Sequence, residues 1–150
     1  MEVIGPIADR SWPVLNRIFA VHSWLYRTTD GRIGHRASPF TPPFAVVDHV
    51  GAKSGIHRST ALVYVRDGDD IVLVASKGGY PKSPAWYFNL KANPETTVQV
   101  AREHIPVRAR EATAEERPRL WELADKTWFG FKSYRARAGR EIPLIVLERR

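Results

Sequence analysis

Short turns between β-rich runs constrain the fold of this chain more than any other feature. Residues 60–65 and 71–75 form two such runs, and the four residues between them are Arg66-Asp67-Gly68-Asp69. An Asp-Gly pair in this position is a strong hairpin signal. A connection this short joins antiparallel strands, because a parallel pair needs a crossover of a dozen or more residues. The sequence therefore predicts an antiparallel sheet.

Further segments extend this sheet and surround it with helices. Strand-like patterns recur at residues 44–50, 96–100, 105–110 and 143–147. The chain shows no βαβ repeat and no G-x-G-x-x-G motif, so a doubly wound nucleotide fold is not expected. The order helix, β, β, β, short helix, β, β, helix, β predicts an α+β fold in which the sheet curls into a small barrel with helices packed outside.

Cap residues predict where the helices begin. Ser11 is a plausible N-cap for a helix over residues 11–28, with Pro13 in its first turn. This helix is apolar on nearly every side, which is typical of burial between two elements, of a dimer contact, of a lid, or of peripheral membrane contact. Ser83 is expected to cap a second helix that ends at Asn93-Pro94.

A capping box predicts that the last long helix begins at Thr113 and runs through Trp121 and Leu123. Thr113 and Glu116 have the S/T-x-x-E spacing in which each side chain hydrogen-bonds the backbone of the other residue. A short helix or loop is expected over residues 131–137.

Composition limits the classes of function. The chain has 150 residues, which suits one domain spanning residues 1–150, and it has no cysteine, which excludes disulfides, thiolate catalysis and Cys-based zinc sites. No segment is expected to cross a bilayer or to act as a secretory signal, so a cytoplasmic location is predicted. The net charge of +7 favours an anionic partner: nucleic acid, a membrane face or a small molecule. The basic residues are dispersed and no nucleic-acid-binding motif is present, so nucleic acid is the least favoured partner.

Two cations flank a predicted turn after the first strand. Lys53 and Arg58 lie on either side of Ser54-Gly55, and Ser59 and Thr60 add hydroxyls. An arginine fork and a lysine point charge together can clamp one phosphodiester. The same spacing taken alone more often describes two solvated loop residues.

A second glycine-rich turn follows the run 71–75. Ser76-Lys77-Gly78-Gly79 could present successive backbone N–H groups to a ligand as an anion-binding concavity. An ordinary Gly-Gly turn is the alternative, and the motif alone favours it.

Aromatic residues provide candidates for contact with a ring. Trp86, Tyr87 and Phe88 lie on the short helix, where at least two are expected in the core and Trp86 is the one expected to face a ring system. Trp128, Phe131 and Tyr134 form an aromatic group that either covers a hydrophobic substrate or caps the core; of these three, Tyr134 alone carries a phenol proton.

The chain shows no metal cluster and no nucleophile–base pair. Its five histidines lack metal-ligand spacing and are interpreted as surface or packing residues, and its serines lie outside any elbow motif. Any reaction is therefore expected to depend on a bound cofactor.

Four ordered motifs resemble the deazaflavin-dependent nitroreductase family of actinobacteria. They are Gly51-Ala-Lys-Ser-Gly-x-x-Arg58, Ala75-Ser-Lys-Gly-Gly-x-Pro-Lys82, Pro84-Ala-Trp-Tyr-x-Asn-Leu90 and Asn93-Pro94. The resemblance covers nearly the whole chain. It implies an FMN-binding split-barrel-like fold that binds coenzyme F420, a deazaflavin with a phosphodiester and a polyglutamate tail. It also implies hydride transfer from the reduced deazaflavin to a quinone, nitroaromatic or enone-like acceptor.

The resemblance also assigns site residues. It places Lys53 and Arg58 on the cofactor phosphate, with Ser54, Ser59, Thr60 and Lys82 in the same site; Ser76, Lys77, Gly78 and Gly79 on the deazaflavin ring; and Trp86 beside that ring. Trp128, Phe131 and Tyr134 occupy the substrate pocket, and protonation is expected from Tyr134, Ser76 or water.

Two positions depart from the family pattern. Ala52 stands where many members have arginine, and Trp128 and Phe131 stand where the best-studied members have tyrosine. The alternatives to an F420-dependent reductase are an FMN-dependent split-barrel reductase and a non-catalytic carrier of a cofactor, haem or lipid. The first helix is also expected to contact either a membrane surface or a second copy of the chain in a homodimer.

Overall fold

The computed structural model describes residues 4–36, 38–76 and 82–150. The elements follow the predicted order: α1 (Ile4–Thr28), β1 (Phe44–Val50), β2 (His57–Asp67), β3 (Asp70–Val74), α2 (Ala85–Ala92), β4 (Glu95–Val100), β5 (Glu103–Glu111), α3 (Arg117–Thr127), α4 (Gly130–Ala138) and β6 (Leu144–Arg149).

The six strands form a closed antiparallel barrel in the order β1-β2-β3-β6-β5-β4, and β4 pairs back onto β1. The predicted hairpin is present, with Asp67 opposite Asp70 and Gly68 at φ +62° in the turn. The α+β fold, a mainly antiparallel split β-barrel with helices packed outside, is thus confirmed.

Two predicted helix caps are wrong. α1 begins at Ile4 rather than at Ser11, and Pro13 lies inside the helix. Pro6 already occupies the first turn, where a missing N–H costs no hydrogen bond. α2 is capped by Pro84 in an extended conformation, with no side-chain cap from Ser83.

The capping box is present as predicted. The backbone N–H of Thr113 donates to Glu116 Oε2 over 2.9 Å, and the N–H of Glu116 donates to Thr113 Oγ1 over 3.3 Å. The helix itself begins at Arg117, with Glu116 at its N-cap, so the predicted start at Thr113 is wrong by four residues.

Side chains that alternate along the strands divide the core between the two faces of the sheet. The barrel interior is apolar and includes Ala45, Val47 and Leu73, and α2 adds Trp86 and Leu90 to it. On the outer face, α3 and α4 cover a second cluster, which includes Val72, Val74, Leu120, Phe131 and Ile142. A third, smaller cluster of Tyr26, Val46 and Ala61 lies under α1.

The hydroxyl of Tyr26 fastens α1 to the barrel. It donates to the carbonyl of Phe44 over 2.9 Å and accepts from the backbone N–H of Ala101 over 2.6 Å. It also lies 3.1 Å from His35 Nδ1, which must then be the protonated nitrogen because the phenol proton is already used. One buried side chain thus joins α1 to the start of β1 and to the β4–β5 turn.

α1 exposes several apolar side chains. Among the large apolar residues whose side chains the structure describes in α1, four are more than half exposed: Val14, Ile18, Val21 and Trp24. Among the described residues, none of the helices has both the length and the apolar content needed for a transmembrane passage.

Candidate functional site

A difference in strand length leaves part of β2 open. β2 has eleven residues and pairs with β1 from His57 to Val63, whereas β3 pairs only with Tyr64–Asp67. Within the described chain, the first half of β2 therefore lacks a strand partner on its outer edge. On this edge the N–H of Ala61 donates instead to Ser23 Oγ of α1 over 3.2 Å.

The predicted turn between β1 and β2 is held in one shape by its own hydrogen bonds. The N–H of Gly51 donates to the carbonyl of Ile56, and the N–H of Gly55 donates to the carbonyl of Gly51, both over 2.9 Å. A Cβ atom on Gly51 would collide with Ser54 Oγ, which accepts from the N–H of Ile56 over 3.2 Å. The turn therefore presents Lys53 from a fixed backbone.

Lys53 and Arg58 are both exposed, and the charge of each is unpaired among the described residues. Neither makes an ion pair or a hydrogen bond with any described residue. Some other cations of the described chain form ion pairs: Arg135 with Asp125, for example, over 2.8 Å. Two unpaired cations beside a stiff turn form an arrangement suited to an anionic ligand.

The hydroxyl of Ser59 belongs to a network on the outer face of the barrel. It accepts from Arg27 Nη2 over 2.8 Å and donates to Asp48 Oδ1 over 2.7 Å. Arg27 also pairs directly with Asp48. Sequence reasoning missed this network, because Arg27 lies on another element, 32 positions before Ser59.

The hydroxyl of Thr60 faces the opposite side and contacts a buried histidine. His49 Nε2 lies 2.8 Å from Thr60 Oγ1, and His49 Nδ1 lies 3.0 Å from Asn89 Nδ2 of α2. Asn89 Oδ1 accepts from the N–H of Ala52 over 2.9 Å. Burial, with a further contribution from the Arg58 charge, holds the pKa of His49 below its usual value. His49 was interpreted as a surface or packing residue, so this connection was also missed.

Ser76 follows β3 and is buried. The predicted ring-binding residues Lys77, Gly78 and Gly79 lie outside the described residues. Lys82 is exposed where the described chain resumes. Arg140 Nη2 donates to the carbonyl of Ala75 over 3.1 Å and to that of Lys82 over 3.2 Å, so one guanidinium joins both flanks of this segment.

The aromatic group is assembled as one cluster. The Trp128 ring centroid lies 5.2 Å from that of Phe131 and 5.1 Å from that of Tyr134, both edge to face. Phe131 is buried, whereas Trp128 and Tyr134 are partly exposed. Burial raises the pKa of Tyr134, so its phenol keeps its proton at neutral pH. The cluster packs with Val74, two residues before Ser76.

Trp86 does not face open solvent. It is 5% exposed and packs in the barrel interior together with Tyr87, whereas Phe88 is 53% exposed. The expectation that two aromatic residues of α2 belong to the core is therefore confirmed. Asn89 lies one turn after Trp86. The same helix therefore carries the residue predicted to contact the ring and the residue that accepts a hydrogen bond from the turn between β1 and β2.

The half of β2 that lacks a second strand partner in the described chain lies between the two cations and the aromatic cluster. Val63 lies level with Val74, one step beyond the Tyr64–Leu73 pair. Arg58 is five positions before Val63, about 16 Å along the strand at roughly 3.3 Å per residue. An extended ligand could therefore reach from the cations to Ser76 and the aromatic cluster.

Comparison with known proteins identifies relatives of the chain. A family model described as F420H(2)-dependent quinone reductase matches residues 18–149. The F420H(2)-dependent quinone reductase Rv1261c of Mycobacterium tuberculosis is 41% identical over 137 residues, which cover 89% of this chain and 91% of that protein.

Two solved structures are also similar to this chain. The F420-H2 dependent reductase FDR-A is 40% identical with a TM-score of 0.66, and the match covers 71% of this chain and 94% of FDR-A. A structure described as a domain-swapped dimer is 36% identical with a TM-score of 0.68, covering 94% and 98% of the two chains.

We predict that His49 titrates below its usual value of 6.5 and that Arg58→Gln raises its pKa, because one of the charges that disfavours the imidazolium is removed. NMR titration of the His49 ring measures both values. Arg102→Gln, in the exposed turn between β4 and β5, is the control and should leave the His49 pKa unchanged. An unchanged pKa in Arg58→Gln would contradict the prediction.

The same shift makes stability depend on pH. The unfolded chain binds a proton at His49 more readily than the folded chain does, so this contribution is complete above pH 6.5 and declines as the pH falls below it. Urea unfolding of wild type and His49→Gln across this range should diverge toward acid pH; parallel curves would exclude the linkage.

Proposed function

This chain belongs to the F420H(2)-dependent quinone reductase family, and from that premise we propose how its own residues carry out F420-dependent reduction of a quinone. The protein is an oxidoreductase of this type, and its cofactor is coenzyme F420. The observation that carries the proposal is the pair of uncompensated cations, Lys53 and Arg58, at one end of the open edge of β2.

The residues present fit this cofactor. A phosphodiester needs cationic donors that are not already paired, and Lys53 and Arg58 meet this requirement. We assign the phosphate to these two residues, with Ser54, Ser59, Thr60 and Lys82 in their surroundings. Ser59 and Thr60 already bond to neighbouring side chains, so their part is to position β2.

The other end of the edge is assigned to the ring and to the substrate. Ser76, Lys77, Gly78 and Gly79 would hold the deazaflavin through backbone groups, with Trp86 supporting the site from within the barrel. Trp128, Phe131 and Tyr134 would cover the acceptor and exclude water from it. A nitroaromatic or an enone-like acceptor has the same electron-poor, apolar character as a quinone.

The reaction needs one hydride and one proton. The hydride is the chemistry that reduced F420 supplies when it is bound. A quinone that gains a hydride still requires a proton to become a hydroquinone. Tyr134 is the proposed donor, because its phenol is protonated, partly exposed and part of the aromatic cluster. Ser76 is the second candidate, since it follows β3 two residues after Val74, which packs with the same cluster.

We predict that the double variant Lys53→Ala, Arg58→Ala loses F420 binding, because each charge-assisted hydrogen bond contributes roughly 1.5–3 kcal/mol. Titration of F420 absorbance or fluorescence measures this loss. Arg102→Ala, Lys132→Ala removes the same charge from exposed residues elsewhere and should bind F420 as wild type does.

Parallel titrations separate the alternatives. Tight binding of FMN without binding of F420 would favour an FMN-dependent reductase. Binding of F420 with no oxidation of its reduced form by any quinone, nitroaromatic or enone would favour a carrier.

We predict that Tyr134→Phe lowers kcat by about a hundredfold or more while the Kd for F420 stays near its wild-type value, because only the proton donor is removed. Steady-state kinetics with a soluble quinone measure kcat. Ser76→Ala is the comparison: a normal rate in Tyr134→Phe and a large loss in Ser76→Ala would transfer the role to Ser76.

The exposed apolar side of α1 supports one partner beyond the substrate. We propose that it contacts an anionic membrane surface, since the chain carries a net charge of +7 and its acceptor is apolar. A cytoplasmic location stays a prediction. A homodimer is the competing explanation, because a relative forms a domain-swapped dimer.

We predict that wild type floats with liposomes of phosphatidylglycerol and that Trp24→Glu, Ile18→Glu does not, because two exposed apolar contacts become acidic. Phe88→Glu, on α2, is the matched control. A wild type that sediments as a dimer and ignores liposomes would assign the face to a second copy of the chain.

A further inference from the structure

A buried chain of hydrogen bonds connects the barrel wall to residues 51–56, the turn between β1 and β2 that carries Lys53 and is called the cation turn below. It runs from Thr60 of β2 through His49 of β1 and Asn89 of α2 to the backbone N–H of Ala52, with separations of 2.8, 3.0 and 2.9 Å. His49 is 4% exposed and Asn89 is 7% exposed. Ala52 directly precedes Lys53.

The chain of contacts has one consistent arrangement of protons. A backbone N–H can only donate, so the oxygen of Asn89 must face Ala52. The amide nitrogen of Asn89 then faces His49 and donates to Nδ1. Nδ1 therefore carries no proton, and His49 is a neutral imidazole with its proton on Nε2, donated to Thr60. Any other state of His49 places two donors against each other.

The hydrogen bond between Ala52 and Asn89 matters because, among the described residues, the turn makes no other hydrogen bond to α2. Its internal bonds fix its shape, through Gly51, Gly55 and Ser54, and the β1–β2 ladder holds its two ends. The bond from Ala52 to Asn89 adds a tie between the middle of the turn and the helix that places Trp86 and Leu90 in the core. Arg58 is located independently, by its pairing with His49 in the β1–β2 ladder.

We propose that His49 and Asn89 are positioning residues for the cofactor phosphate: the neutral imidazole orients the amide of Asn89, which holds Ala52 so that Lys53 stands at a fixed distance from Arg58. The inference rests on the proposed function. Neither residue touches the phosphate. Their effect is on the spacing of the two cations, and thus on cofactor affinity rather than on the chemical step.

Three variants test the proposal by F420 titration. Asn89→Leu and His49→Leu should each raise the Kd for F420 by roughly ten-fold, because each removes a hydrogen bond on which the turn depends. His49→Gln should stay near wild type, since its amide can present an acceptor to Asn89 and a donor to Thr60. In all three, kcat at saturating F420 should remain within about two-fold of wild type.

Matched controls separate positioning from loss of fold. Asn93→Ala, on the C-cap of the same helix, should bind F420 normally. Thermal unfolding followed by circular dichroism identifies any variant that is not folded, and rescue by His49→Gln relative to His49→Leu does not depend on that measurement.

Two further readouts need no cofactor. Long-range proton–nitrogen NMR should show His49 protonated on Nε2 alone at neutral pH. Hydrogen exchange should show the Ala52 amide protected in wild type and in His49→Gln, and unprotected in Asn89→Leu. A protonated Nδ1, or an unprotected Ala52 amide in wild type, would overturn the inference.

The failures of the two proposals are distinguishable. If wild type does not bind F420, the proposed function fails and the inference fails with it. If wild type binds F420 and Asn89→Leu binds it equally well after losing protection at Ala52, the inference alone is overturned.

Discussion

The site depends on the mismatch between an eleven-residue strand and a five-residue neighbour. β3 stops at Val74, so β2 continues for seven residues with β1 on one side and no strand from the described part of the chain on the other. A regular barrel would satisfy that edge with its own ladder. Here α1 meets part of it through Ser23. The mismatch thus creates a long edge inside an otherwise closed sheet, with cations at one end and aromatic rings at the other.

Local signals made most of the fold predictable. The Asp67-Gly68 turn, the alternation of residues 44–50 and the capping box at Thr113 each depend on neighbours in sequence, and each is present. The errors concern helix ends. Ser11 satisfies the rules for an N-cap, but Pro6 is equally acceptable in a first turn, and only the actual course of the chain decides between them. Propensity limits where a helix can begin without selecting one position.

The candidate site was predictable only as far as its residues are close in sequence. Lys53 and Arg58 are separated by one turn, so the sequence alone made them candidates for an anion site, although the same spacing more often describes two solvated residues. Asn89 reaches Ala52 across 37 positions and His49 across 40, and no periodicity links them. A buried histidine also has no sequence signature, since the same residue type serves at surfaces and in cores. Long-range hydrogen bonds between single polar side chains require coordinates.

Binding of F420 links the folding of this protein to the supply of its cofactor. A ligand that binds the native barrel and not the unfolded chain adds free energy to the native state by mass action, about 2.7 kcal/mol when its concentration is one hundred times its Kd. The two proposed phosphate ligands lie on β2 and on the turn between β1 and β2, whose pairing helps to close the barrel, so that free energy acts on the whole domain. Cells that make little deazaflavin would therefore accumulate less of the folded enzyme, and recombinant yield in such a host would rise with added cofactor.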